Sequence, residues 1–366
     1  MRSAVLASVL LVSGLVGSAG AGTLDQPILG GSTATVGQYP SVVAIEMGGA
    51  LCTGTLITKD WVMTAAHCVK GFSVSSIKVH FNTVNVFHQQ GTVVNATMAI
   101  ANPGFSESNL GSKDIGLIKL ATPVTDIKPV PVNLDPTKAP VGIKVTMVGF
   151  GATAQGGGGS VGVEYVVEQT SVACNSFAGT DANLLCFNQV SGKGKCEGDS
   201  GGPSFAMIDG RMMQVGITSF GDQNCAQFGA DTRTDAERAF LLQNVPQLYC
   251  ATDADCEMGH QCFSNACITT PFNPGGLGAD CTTATDCESG SCANSDNGSY
   301  CTMQCTIGDS ASCPAGLDCI DAGGTGTCWP QSDDTGCCAA DGRGAPTMLV
   351  GIALVGFVWR RRRRAR

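Results

Sequence analysis

Residues 195–203, KCEGDSGGP, set one hydroxyl, Ser200, among glycines, with Asp199 before it and Cys196 four residues upstream. Glycine lets a backbone turn tightly enough for N–H groups to converge, because no Cβ stands in the way. Converging N–H donors beside a hydroxyl are what a developing oxyanion requires. A serine hydroxyl is almost wholly protonated at neutral pH and needs a base to act as a nucleophile. TAAHC (64–68) offers His67 as that base, and DIGLIKL (114–120) offers Asp114 to hold the imidazole. His67, Asp114, Ser200 is one of the chain orders in which a Ser/His/Asp triad occurs. Singly, each residue is bland: a structural histidine, a turn aspartate, a tight GDSG turn. Jointly they would need several coincidences to be structural only.

These motifs resemble those of the trypsin/chymotrypsin-family (S1) serine endopeptidases, over residues 28–248. The resemblance implies an all-β fold of two six-stranded antiparallel β-barrels closed by a C-terminal helix. It implies an acyl-enzyme mechanism with His67, Asp114 and Ser200 as the triad and the N–H groups of Gly198 and Ser200 as the oxyanion hole. ILGG at 28–31 resembles the family's mature N-terminus, whose freed amino group pairs with the residue before the nucleophile, making Ile28 and Asp199 the activation pair. Pro27 stands where the family is usually cut after Arg or Lys. Three disulfides are implied, Cys52–Cys68, Cys174–Cys186 and Cys196–Cys225. Zinc ligation, the alternative use of those sulfurs, lacks histidines and C-x-x-C spacing. No metal and no cofactor is expected.

The same resemblance puts Gly194 at the base of the primary substrate pocket and Gly221 and Gly229 on its walls. Ser219, Phe220 and Gly221 would run along the substrate backbone, with Phe220 in place of the usual Trp. The Asp that selects Arg or Lys is absent, so basic specificity is not expected. Lys195 and Asp231 depart from the family pattern, and three arrangements are open. Lys195 could pair with Asp231 and leave a shallow, mostly apolar site. It could reach into the pocket and attract an acidic side chain, or turn out to solvent along its apolar stem.

The elements that must position these groups read as strands. Short Val/Ile/Thr-rich runs at 41–45, 54–58, 77–81, 93–100, 115–120, 144–149, 161–169 and 213–219 are separated by Gly, Asn and Pro. That spacing argues for an all-β sandwich or barrel pair rather than α/β units. One helix is expected over 235–244, with Phe240 and Leu241 on its apolar face.

The two ends carry other signals. A positive start at Arg2, an apolar run over 4–16 and AGA at 19–21 read as a secretory signal peptide, residues 1–21, followed by a short pro-segment, 22–27. At the other end, Cys337-Cys338 within 331–346, an apolar stretch at 347–359 and an arginine-rich tail at 360–366 resemble bacterial sorting signals of the myxosortase (MYXO-CTERM) type. That implies cleavage near Cys337 by a processing peptidase and delivery to the bacterial cell surface. The alternative is a tail anchor that keeps its transmembrane helix, although the stretch falls short of the roughly 20 residues of a comfortable span. Membrane contact is expected only through this tail.

The chain of 366 residues has a formal charge of −9, with 30 acidic against 21 basic side chains. Seven of the basic residues lie from Cys337 onward, so the remainder is more acidic still and disfavours nucleic-acid binding. Twenty cysteines behind a signal peptide point to an oxidising compartment. Twelve fall in residues 249–330, in three groups of four: Cys250/256/262/267, Cys281/287/292/301 and Cys305/313/319/328. CATDADC and CTTATDC open the first two alike, as degenerate repeats of small disulfide-rich modules with almost no apolar core. Four cysteines allow three connectivities, so the pairing stays open. Residues 271–278 read as a linker between the first two groups. The expected function is a secreted serine endopeptidase acting on protein or peptide substrates. The alternative is an inactive protease-like binding or adhesion protein on the cell surface.

Overall fold

The computed structural model describes residues 28–330, apart from 89–90, 109–110, 175–179, 209, 257, 264 and 296–297. The signal peptide, pro-segment and C-terminal sorting tail expected from sequence lie outside the described residues. Among the described residues no helix is long and apolar enough to cross a membrane.

A two-residue strand, β1 (Ser32–Thr33), precedes β2 (Val42–Met47), β3 (Ala50–Thr58) and β4 (Trp61–Thr64). After the single helical turn α1 (Ala66–Val69) come β5 (Ile77–Phe81), β6 (Thr92–Ala101) and β7 (Gly116–Leu120). Strands β2-β3-β4-β7-β6-β5 close into a six-stranded antiparallel barrel. β2 shows why it sits centrally. Val43, Ile45 and Met47 face the barrel interior, while Val42 and Ala44 pack outward with Val148, Phe150 and Phe205 of the second sheet. Alternate side chains point to opposite faces of a strand, so a strand apolar on both must be covered on both.

The second half holds β8 (Lys144–Gly149), β9 (Tyr165–Thr170), β10 (Leu184–Asn188), β11 (Pro203–Ile208), β12 (Arg211–Gly221) and β13 (Phe228–Arg233). Here the sequence expectation of a second six-stranded barrel is met only in part. The strands form an open half-barrel in the order β1-β9-β8-β11-β12-β13-β10, with β1 added at one edge. Beyond Thr170 the chain leaves regular pairing and meets β10 through one bridge, Val172 N–H donating to Cys186 O at 2.8 Å. The Cys174–Cys186 disulfide stands there in place of a continued ladder.

The expected helix is present but shorter, α2 (Arg238–Asn244). Of its three expected leading residues, Asp235 and Glu237 are drawn into other contacts. Arg233 holds Asp235 through Nε and Nη2, each 3.2 Å from Oδ2, and Glu237 accepts from Asn102 Nδ2 at 2.8 Å. Phe240 and Leu241 then join the core of the first barrel.

Three hairpins follow: β14 (His260–Phe263) with β15 (Ala266–Thr269), β16 (Cys292–Ser295) with β17 (Gly298–Cys301), and β18 (Leu317–Asp321) with β19 (Gly326–Pro330). In each cysteine group the first residue bonds the third and the second bonds the fourth. Thr252 with Asp255, and Thr283 with Asp286, form matching capping boxes, so the repeat extends to the first turn of each module. The expectation of almost no core is also corrected: Leu277, Met303 and Leu317 cluster with Cys313 and Cys328, and Leu277 comes from the stretch read as a linker. The modules pack on the β-domain. Arg211 Nη2 donates to Phe263 O, Lys128 Nζ donates to Asp286 O, and a Cβ on Gly210 would run into the backbone of Gln304.

Candidate active site

The pairing of β4 with β7 sets the first two groups. Thr64 lies opposite Gly116, so His67, three residues beyond one strand end, and Asp114, two before the other, emerge at the same end of the pair. His67 Nδ1 lies 2.8 Å from Asp114 Oδ2, and the His67 backbone N–H donates to Oδ1 at 3.0 Å. Ser219, from β12, donates its hydroxyl to Asp114 Oδ2 at 2.6 Å. Asp114 is fully buried while His67 is part-exposed, with 27% of its side chain accessible. A carboxylate so bonded fixes the imidazole with Nδ1 carrying the proton, which leaves Nε2 as an acceptor.

Ser200 enters from the loop ahead of β11, at the seam of the two halves. Thr53 of β3 donates its N–H to Ser200 O at 2.8 Å, and Gly201 N donates to Thr218 O of β12 at 2.8 Å. Gly201 has φ +82, and a Cβ there would collide with Thr64 and with the Thr53 carbonyl, so the sequence after Ser200 is sterically dictated. The carbonyls that precede Gly198 and Ser200 are already directed. Glu197 O accepts from Ala152 N at 2.7 Å and Asp199 O accepts from Gly202 N at 2.8 Å. In a trans peptide the N–H points opposite the preceding C=O, so the N–H groups of Gly198 and Ser200 point away from these internal bonds.

Asp199 is 1% exposed. Its carboxylate accepts from Gly151 N and Cys196 N, both at 2.8 Å. Burial pushes its pKa up to about 6, against the lowering effect of those two N–H groups and of Lys195. Ile28 is fully buried among Val145, Met147, Leu185 and Phe187, and Leu29 O accepts from Gly194 N at 2.9 Å. The N-terminal segment is therefore seated beside the Ser200 loop.

A cleft of about 190 Å³ opens next to Ser200 between Cys196, Glu197 and residues 218–223 of β12 and its following turn, with Gly229 to Asp231 behind. Gly221 pairs with Gly229 across β12 and β13, and Phe220 meets Phe228 edge-on. At the bottom, Lys195 Nζ lies 2.8 and 2.7 Å from the two Asp231 oxygens. Of the three arrangements open in the sequence, the structure holds the pair. Burial lowers the Lys195 pKa, opposed by the charge and hydrogen bond of Asp231. Two neighbours of the pocket were missed by sequence reasoning, Gln189 and Ser204. Neither belongs to a motif, and only the strand register brings them here. The Cys52–Cys68 and Cys196–Cys225 bonds flank His67 and the cleft. Their sulfurs are bonded to one another and offer no thiolate to a metal.

The matching model of known families is Trypsin, over residues 28–236. Among curated proteins the chain is 33% identical over 223 residues to Serine protease 1 of Rattus norvegicus, covering 58% of this chain and 88% of that one. It is 34% identical over 213 residues to Serine protease SP24D of Anopheles gambiae (56% and 75%) and 31% identical over 210 residues to Trypsin of Sus scrofa (56% and 87%). These relatives favour an endopeptidase over a protease-like binding protein. With a family model matched across more than half its length, this chain belongs to the trypsin family of serine endopeptidases.

Proposed function

We propose that the protein is a secreted endopeptidase in which Ser200 Oγ attacks the carbonyl carbon of a peptide bond. The Ser200 proton passes to His67 Nε2 as the C–O bond forms. His67 then gives it to the leaving amine as the C–N bond breaks, leaving an acyl-enzyme. Water, deprotonated by His67, hydrolyses that ester and restores Ser200. Asp114 holds the Nδ1–H tautomer and stabilises the imidazolium. Gly198 and Ser200 N–H groups receive the oxyanion, and losing one such donor costs roughly 3–4 kcal/mol of barrier. The observation that carries this reading is the Ser219–Asp114–His67 chain, at 2.6 and 2.8 Å, on the seam where Ser200 emerges.

Activation follows from charge. Asp199 is buried with two N–H partners, and an amino group freed at Ile28 would supply the missing cation. The disulfide-rich build suits an oxidising, extracellular compartment. The signal peptide and sorting tail complete the reading as export to the cell surface with processing at both ends. Primary specificity is not for Arg or Lys.

Fluorophosphonate labelling of the mature protein, beside a Ser200→Ala control, tests this. Labelling that disappears in the control is the expected result; a mature protein that never labels would sink the reading.

A further inference from the structure

The cleft beside Ser200 receives the side chain preceding a scissile bond, and four residues determine what its floor offers. Lys195 Nζ donates to Asp231 Oδ1 (2.8 Å), Asp231 Oδ2 (2.7 Å) and Ser204 Oγ (3.0 Å). An ammonium has three N–H groups, and all three are engaged. Ser204 Oγ in turn donates to Asp231 Oδ2 at 2.6 Å. The side chains of the pair are 5% and 0% exposed.

Gln189, 1% exposed, locks this cluster from behind. Its Oε1 accepts from Lys195 N at 2.9 Å, and its Nε2 donates to Lys195 O and Cys225 O, both at 3.1 Å. A Cβ on Gly194 would be driven into the Gln189 amide, and a Cβ on Gly229 would also meet it. The spot from which a carboxylate could reach up to a basic side chain is thus already filled.

The pair carries no net charge wherever its proton resides. An arginine or lysine entering the cleft finds no free carboxylate. An aspartate or glutamate finds no free N–H on Lys195. Either would bury an uncompensated charge, at a cost of several kcal/mol. We propose that the pocket selects uncharged side chains of moderate size, and that Lys195, Asp231, Ser204 and Gln189 are the residues that set this choice. The inference rests on the endopeptidase reading above.

The test is a peptide library varied at the residue before the cut, run on the mature protein with fluorophosphonate labelling in parallel. Uncharged residues are expected to exceed Arg, Lys, Asp and Glu by about 100-fold or more in kcat/KM. Lys195→Ser frees Asp231 and is expected to bring in cleavage after Arg and Lys. Asp231→Asn frees Lys195 donors and is expected to bring in cleavage after Asp and Glu. The double change Lys195→Met with Asp231→Leu keeps the pocket neutral and should keep the original profile. A labelled wild-type enzyme that prefers a charged residue overturns the proposal, as do labelled single variants with unchanged profiles. If a single variant fails to label, the wild-type and double-variant profiles decide. A wild-type protein that does not label overturns the endopeptidase reading itself, and this proposal with it.

Discussion

Glu164 is 3% exposed, and its Oε1 has no hydrogen-bond partner among the described residues. Burial alone pushes its pKa from 4.5 up to about 8. The folded state therefore binds a proton that the unfolded state releases between those values. The stability tied to this proton is complete below about pH 4.5 and is lost as pH rises towards 8. Glu164→Gln should leave the melting temperature unchanged at pH 4 and raise it by a few degrees at pH 8, read by thermal unfolding across that range. At this scale the sequence was legible wherever a residue sits in a motif. Ser200, His67 and Asp114 could be named because their neighbours in sequence are constrained by the same chemistry. Gln189, Ser204 and Glu164 could not, since their importance comes from burial, which adjacent residues do not report.

Strands were legible where β-branched and other apolar residues are interleaved with polar ones between clear breaks, as at β5 and β8, which the sequence bounds match. The half-barrel was not, because beyond β9 the chain meets β10 through one bridge and one disulfide rather than through a ladder that a run of residues would announce. The turn after β12 shows the same limit. Asp222 has no sequence motif, yet its carboxylate accepts from the backbone N–H groups of Asn224, Ala226, Gln227 and Phe228. Burial raises its pKa, but those four bonds outweigh it and bring the group below the ordinary carboxylate value. They shape the turn carrying Cys225, the partner of Cys196 at the cleft rim. Asp222→Ala should raise KM for extended peptides by about 10-fold through loss of that shape. Labelling of Ser200 by a small fluorophosphonate should persist. Equal losses in both measurements would argue against a role confined to the pocket wall.

In the whole molecule the modules act as part of the protease's shell. The hairpin between β11 and β12 ends against Gln304, and Arg211 reaches Phe263. A chain ending after Leu248 uncovers this face and is expected to melt several degrees lower than one ending at Pro330, at about 2–4 °C per kcal/mol lost for a domain of this size. Its cleavage profile should be unchanged, since the cleft residues lie elsewhere. Calorimetry of the two chains, with the same peptide library, checks both parts.

The order of bonding inside each module has a topological outcome. Because the first cysteine bonds the third and the second bonds the fourth, every peptide bond between the first and last cysteine of a group is spanned by at least one disulfide. A single scission anywhere inside a module frees no fragment. A copy nicked inside a module is thereby cut without being dismembered there, and within residues 250–328 only the short joins at 268–280 and 302–304 remain places where one cut severs the chain.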